Sequence, residues 1–378
     1  MSLYLDWAAS SPPESEIIKD SYVLSCEAFG NPSSIHEFGR ESAKYLSIAR
    51  ERAASCLGVL PQTLYFTSGG TESNHIPLIS LIQRPVKGSI AISSIEHPAI
   101  IEQARMLELQ GWKILPITCD TEGFISPETV LNTIQNDTAL VAVMAVNNET
   151  GAIQRVEEIG KVLQNVSKNK RKPHFHVDAV QAIGKIPFSC STENIDSVAI
   201  SAHKIGGPKG TGILYLNRRI EPFIRGGGQE NGLRPGTENL AGAWAISLCL
   251  EKTMKLLAES SQHTVMNTLI QNMRTIEDVK IIPETRLEND TRFSPWILQV
   301  TNSKIPGEVL VRSFSDHGIY ISTGSACSAR KNIRPVLEAM KVSIKDQKNA
   351  IRISFGNSTK IEDILSFTDI FQKIIKTL

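Results

Sequence analysis

The chain has 378 residues, 41% of them hydrophobic and 21% charged, enough to bury a sizeable core and to divide into two lobes. Forty Lys and Arg against thirty-nine Asp and Glu leave a formal net charge of +1, which excludes a global field drawing in nucleic acid or an anionic membrane. With 25 Gly and 18 Pro, collagen-like and low-complexity classes are excluded as well.

The opening Met1–Asp6 carries an acid at once and has neither a basic stretch nor a long apolar one, so no signal peptide is expected. The longest apolar runs, Ala139–Val146 and the Ser-interrupted Ala241–Leu250, fall far short of the ~20 residues of a membrane helix. Six cysteines at positions 26, 56, 119, 190, 249 and 327 lie no closer than thirty positions apart. Paired-cysteine metal sites and a disulfide scaffold are therefore not expected, no metal is assigned, and a reducing cytoplasmic setting follows.

Short, often β-branched runs predict strands at Leu64–Thr67, Ser89–Ser93, Lys113–Ile117, Leu140–Val146, His174–Val177, Ser197–Ser201 and Gly212–Leu216. Helical spacing lies between several of them, at Glu41–Leu57, Pro98–Gln110, Pro127–Ile134 and Val156–Val166. The alternation predicts an α/β fold around a largely parallel sheet, whose sites sit at the carboxyl ends of strands. The basic run Lys168–Lys172 follows a helix and precedes Pro173, so it reads as a solvated loop. After Leu240–Ala258, a bridging helix, the texture changes. Strands are expected at Lys280–Ile282, Trp296–Val300, Tyr320–Ser322 and Ala350–Ser354, with a final helix over Ile361–Leu378, making a smaller α+β unit.

Three segments carry chemistry. Thr67-Ser-Gly-Gly-Thr-Glu-Ser-Asn74 follows a strand, and glycines there expose backbone N–H groups at a positive helix end, with the Thr71 hydroxyl beside them. An ordinary capped helix start would look the same. His174-Phe-His-Val-Asp178 ends a strand on an acid, which either caps the next turn or meets a cationic ring nitrogen. Ile195–Ser201 runs into His203-Lys204 and a Gly/Pro-rich turn, where a desolvated lysine can serve as a Schiff-base amine; Lys209, within the turn, is the competing candidate. A phosphate cradle, an acid and a Schiff-base lysine together are the three handles of pyridoxal 5'-phosphate.

Ordered motifs then run nearly end to end: Tyr4-Leu-Asp-Trp-Ala-Ala, Gly30-Asn-Pro-Ser-Ser-Ile-His36, Thr67-Ser-Gly-Gly-Thr-Glu-Ser, Glu96-His97, Val146-Asn-Asn-Glu-Thr-Gly151, His176-Val-Asp-Ala-Val-Gln181, Ser201-Ala-His-Lys204, Gly226-Gly-Gly-Gln-Glu and Gly324-Ser-Ala-Cys327. With them the chain resembles the NifS-type cysteine desulfurases of the class V aminotransferase group. The resemblance implies a fold-type I pyridoxal phosphate enzyme: a large domain with a mostly parallel seven-stranded sheet over residues 15–255, and a smaller α+β domain over 256–378 that carries the Cys327 loop. Residues 1–14 would pack with the small domain.

It also implies roles. Lys204 would hold the cofactor; Gly70, Thr71, Ser201 and His203 would bind its phosphate; Asp178 would pair with the ring nitrogen. His97 would stack on the ring, although a histidine entering a helix before Pro98 is equally readable from sequence. Gln181 and Asn148 would bond the ring oxygen or the substrate, and Arg352 would fork the substrate carboxylate with help from Asn31. Thr237, in Arg234-Pro-Gly-Thr-Glu-Asn, would reach the phosphate in the partner subunit, implying a homodimer. Cys327 would take the sulfur of L-cysteine as a persulfide, releasing alanine and passing sulfur to an acceptor protein for iron–sulfur cluster or tRNA thiolation; the other five cysteines are read as structural. Asn231 stands where many relatives have Arg, and Ser-Ala-Arg-Lys-Asn follows Cys327 in place of a Ser/Thr-rich run. A selenocysteine lyase, a class V aminotransferase and a sulfur-trafficking scaffold remain as alternatives.

Overall fold

Strands form where apolar residues run together between Gly, Pro or polar punctuation, and helices where apolar residues recur every three or four. A computed structural model describes residues 2–166, 172–191, 194–258, 262–324 and 334–377. In chain order its strands are β1 (Leu3–Tyr4), β2 (Leu64–Thr67), β3 (Ser89–Ser93), β4 (Lys113–Ile117), β5 (Thr138–Ala142), β6 (His174–Asp178), β7 (Ser197–Ser201), β8 (Gly212–Leu216), β9 (Val279–Ile282), β10 (Ile297–Asn302), β11 (Ile319–Tyr320) and β12 (Ile351–Ser354).

Seven of them make one sheet in the order β2-β8-β7-β6-β5-β3-β4. Only β8 runs against its neighbours; the other pairings are parallel. Every residue of β2, β3, β5, β6, β7 and β8 is buried, as a sheet covered on both faces requires. On one face Phe175, Val177 and Val198 join a core with Leu46, Ala49 and Ala53 of helix Glu37–Leu57 and Ile246 of helix Leu240–Ala258. Helix Gly70–Ile79 also packs on β6, β7 and β8. The α/β, mostly parallel seven-stranded architecture expected from the sequence is therefore present.

A second sheet, antiparallel in the order β12-β10-β9, packs with helices Gln262–Thr275, Gly307–Asp316 and Ile361–Thr377 around Phe314, Phe367 and Phe371. Leu5 and Ala8, from the start of the chain, belong to this core. β1 pairs in parallel with β11, and Asp6 bridges to Ser354 of β12.

Several element boundaries differ from expectation by one or more residues, two of them instructively. β5 ends at Ala142 rather than Val146, although the N–H groups of Val143 and Ala145 still donate to the carbonyls of His176 and Asp178. The helix expected from Glu41 begins at Glu37 because His36 caps it, its Nδ1 accepting from Gly39 N at 3.2 Å.

Candidate active site

The carboxyl ends of β3, β6 and β7 and the helix that follows β2 converge on a cavity of about 270 Å³, closed on its other side by Ala8, Ala9, Gly324 and Arg352. Its phosphate-sized corner begins at Gly69, whose φ of 145° turns the chain out of β2 and into helix Gly70–Ile79 with no side chain capping the helix end among the described residues. That leaves backbone donors for an anion. A Cβ on residue 70 would stand 2.9 Å from Val180 Cγ2 and 3.3 Å from Ser201 Cβ, so glycine keeps this corner open. Thr71, Ser201 and His203 line the same cavity. Burial, with Lys204 and Lys185 nearby, lowers the His203 pKa to about 4, so the ring enters as a neutral hydrogen-bonding group.

At the end of β7 a single 3₁₀ turn, Ala202–Lys204, brings the lysine back over the cavity. Lys204 Nζ donates to the carbonyls of Ala8 (2.6 Å) and Ala9 (2.8 Å). Lys209 is exposed and outside the cavity. Asp178, at the end of β6, accepts from Asn74 Nδ2 at 2.8 Å and from Val180 N at 3.0 Å. Behind it Asn74 Oδ1 meets His176 Nε2 (2.8 Å), and Ser197 Oγ lies 2.7 Å from both His176 Nδ1 and His174 Nε2.

His97 enters the helix as the sequence allows, Nδ1 accepting from Ala99 N at 3.1 Å to cap helix Pro98–Leu109, and its ring also lines the cavity. Burial lowers its pKa, Lys204 lowers it further and Asp178 opposes them. Glu96 beside it is 2% exposed; Oε1 accepts from Ser93 Oγ and from Met144 N (2.6 Å), and Oε2 has no partner among the described residues. Burial is the main cause that lifts this carboxyl to about 8.

From β12, Arg352 enters with its side chain 3% exposed. Nη2 pairs with Asp6 Oδ1 at 2.7 Å and Nη1 donates to the carbonyls of Asn148 and Gly324. Gly324 has a φ of 122°, and a Cβ there would stand 2.9 Å from Arg334 Nη2 and 3.0 Å from Glu149 Oε2, a buried ion pair. Gln181 lines the cavity, donating to Ala8 O and accepting from Lys185 Nζ.

The expected residues Gly70, Thr71, His97, Asn148, Asp178, Gln181, Ser201, His203, Lys204 and Arg352 thus line one cavity. Asn31 and Thr237 are exposed and outside it, and Cys327 lies outside the described residues. Sequence reasoning missed Asn74, His176 and Ser197. The signals were present: 70 and 74 share a helical face, and 174, 176 and 178 share a strand face. It also missed the roles of Asp6 and of the Ala8 and Ala9 carbonyls: the motif Tyr4-Leu-Asp-Trp-Ala-Ala marks the segment but not its contacts with Arg352 and Lys204. An uncapped helix end beside a glycine-kept corner, an acid and an amine fits pyridoxal phosphate.

The Aminotransferase class-V family model matches residues 3–367. The chain is 36% identical to a protein named cysteine desulfurase IscS from Methanosarcina thermophila, over all of this chain and 93% of that one. Among solved structures it matches a NifS-like protein with TM-score 0.90 and 34% identity, each chain covered completely. It also matches SspA in complex with cysteine, with TM-score 0.79 and 28% identity over 95% of this chain and 100% of that one.

Proposed function

Because the chain belongs to the aminotransferase class-V family, we propose that it is a pyridoxal-phosphate-dependent cysteine desulfurase, taking sulfur from L-cysteine and passing it to an acceptor. The observation that carries this is the convergence of Lys204, Asp178, His97 and Arg352 on one cavity. When bound, the cofactor supplies a carbonyl for an amine and a ring that takes up the electron pair left on a deprotonated carbon.

The residues then divide the work. Gly70, Thr71, Ser201 and His203 would hold the phosphate, and Asp178 would receive the ring N–H. Lys204 would hold the cofactor through its amine, and its Nζ, when free of it, would carry the substrate Cα proton. His97, held below its ordinary pKa by burial, would flank the ring as a neutral imidazole able to pass a proton. Asn148 and Gln181 contact the ring oxygen or the substrate. Arg352 presents a fork to the substrate carboxylate, the geometry a guanidinium matches best.

Cys327 is assigned the sulfur: its thiolate bonds to the substrate sulfur as the C–S bond breaks, leaving a persulfide, and protonation of the carbon gives alanine. The described cysteines support this by their environments. None of Cys26, Cys56, Cys119, Cys190 and Cys249 lines the cavity, and burial pushes Cys190 and Cys249 up to about 12. A homodimer suits the exposed Phe29, Ile35 and Phe38, and it would let the exposed Thr237 and Asn31 serve a partner's site. Residues 1–14 with 256–378 are assigned to a small domain and 15–255 to a large one. The acceptor is an iron–sulfur scaffold or tRNA-thiolation protein. No helix among the described residues is long and apolar enough to cross a membrane.

The test is alanine and sulfide release from L-cysteine with a reductant present, on the wild type and Cys327→Ala, while the visible spectrum is recorded. Cysteine-dependent sulfide lost in the variant supports the assignment. Alanine release that survives it removes Cys327 from the chemistry.

A further inference from the structure

Behind the cavity runs a buried line of polar side chains whose hydrogen bonds can be arranged in only one way. β6 is buried on both faces, and its alternation sends Phe175 and Val177 into the apolar core while His174, His176 and Asp178 share the other face. Ser197 of β7 is the register partner of His176, and Asn74 reaches the same face from helix Gly70–Ile79. His176 and Ser197 are fully buried and Asn74 nearly so.

Each link fixes the next. Asp178 receives Asn74 Nδ2–H and Val180 N–H, so Asn74 turns its oxygen away from the carboxylate. Reversing the amide would set its oxygen 2.8 Å from Asp178 Oδ2. Asn74 Oδ1 must then accept from His176 Nε2–H. A neutral imidazole has one donor and one acceptor, so His176 Nδ1 accepts from the Ser197 hydroxyl, and Ser197 Oγ accepts from His174 Nε2–H. Burial keeps both rings neutral, lowering each to about 3; Arg218, Lys172 and Arg84 press His174 in the same sense, and His174 presses His176.

We propose that His174, Ser197, His176 and Asn74 form a one-way hydrogen-bond line that presents Asp178 to the cavity as an acceptor, making His176 and Asn74 positioning residues for the cofactor ring. It rests on the reading of Asp178 as the ring-nitrogen partner. Two N–H donors hold the carboxylate from behind and leave its spare lone pairs for a donor inside the cavity. The line also polarises cooperatively, each donation strengthening the next.

The experiment has two readouts on the full-length chain. ¹⁵N-histidine NMR, with and without pyridoxal phosphate, is expected to show His176 as the Nε2–H tautomer; the Nδ1–H tautomer would overturn the line. The dissociation constant of pyridoxal phosphate is expected to rise at least ~10-fold in His176→Phe and to recover in part in His176→Gln, whose amide can still donate to Asn74. Cofactor binding and a visible spectrum unchanged in His176→Phe would overturn the positioning role. Ser197→Ala, a smaller change, guards against a folding failure: Asn74 still holds His176 as the Nε2–H tautomer while His174 loses its acceptor and should mix tautomers, and a His176 ring that switches to Nδ1–H overturns the link. A wild type that shows the tautomer but binds no pyridoxal phosphate refutes the cofactor reading and, with it, the positioning role.

Discussion

Replacing Glu96 with glutamine should make the protein more stable, by an amount that depends on pH. The carboxyl titrates at 4.5 when unfolded and at about 8 when folded, because burial strips its charge of water and Oε2 has no partner among the described residues. Between those values the folded chain keeps a proton that the unfolded chain has lost. The free energy of unfolding then falls by ~1.4 kcal/mol per unit as pH rises, and levels off above the folded value. Across the window this amounts to ~5 kcal/mol. Glutamine keeps an oxygen for Ser93 Oγ and Met144 N but does not titrate, so comparing the two proteins cancels every other titrating group. Thermal midpoints of both holoenzymes should be close near pH 4.5 and diverge by ~5 °C at pH 8, the variant being higher. Parallel curves between pH 5 and 8 would refute the assignment of a neutral Glu96.

Arg352→Lys replaces a fork with a single point of contact, and should raise KM for L-cysteine ~30-fold or more while kcat changes less, read by steady-state alanine release; a KM within threefold of wild type would remove Arg352 from the carboxylate. Gly70→Ala pushes a methyl against Val180 Cγ2 and Ser201, and should weaken pyridoxal phosphate binding ~10-fold or more by reconstitution titration, with the fold kept by circular dichroism. Because burial holds His97 below its ordinary 6.5, the acid limb of kcat/KM due to its protonation should lie below pH 6.5; a limb at 7 or above would contradict that environment.

Much of the large sheet is legible in the residue pattern alone. β2, β3, β4, β7 and β8 begin and end where punctuation by Gly, Pro and polar residues places them; all but β4 are buried along their whole length, and strands covered on both faces read as short apolar runs. The β5 expectation runs too far because Val143–Val146 is just as apolar: burial continues after regular pairing stops. His36 is hard to read as a cap because its accepting atom is a ring nitrogen in one tautomer, not a Ser, Thr or Asp oxygen. Lys204, Asp178 and Gly70 are legible since each terminates a local pattern. The Asp6–Arg352 pair and the Ala8 and Ala9 carbonyls are not, being contacts across most of the chain that no window can register.

Those same contacts impose a schedule on biosynthesis. The strand at Leu3–Tyr4 lacks its strand partner until Ile319–Tyr320 leaves the ribosome, and the Asp6 carboxylate lacks its ion-pair partner until Arg352 does. A nascent chain can complete its seven-stranded sheet by Leu216, yet the wall that holds Lys204 waits on residues more than a hundred positions further along. Closing so long a loop is slow. The side of the cavity built by Gly324 and Arg352 is therefore the last part of the site to assemble, and a tag fused at the amino end would sit close to it.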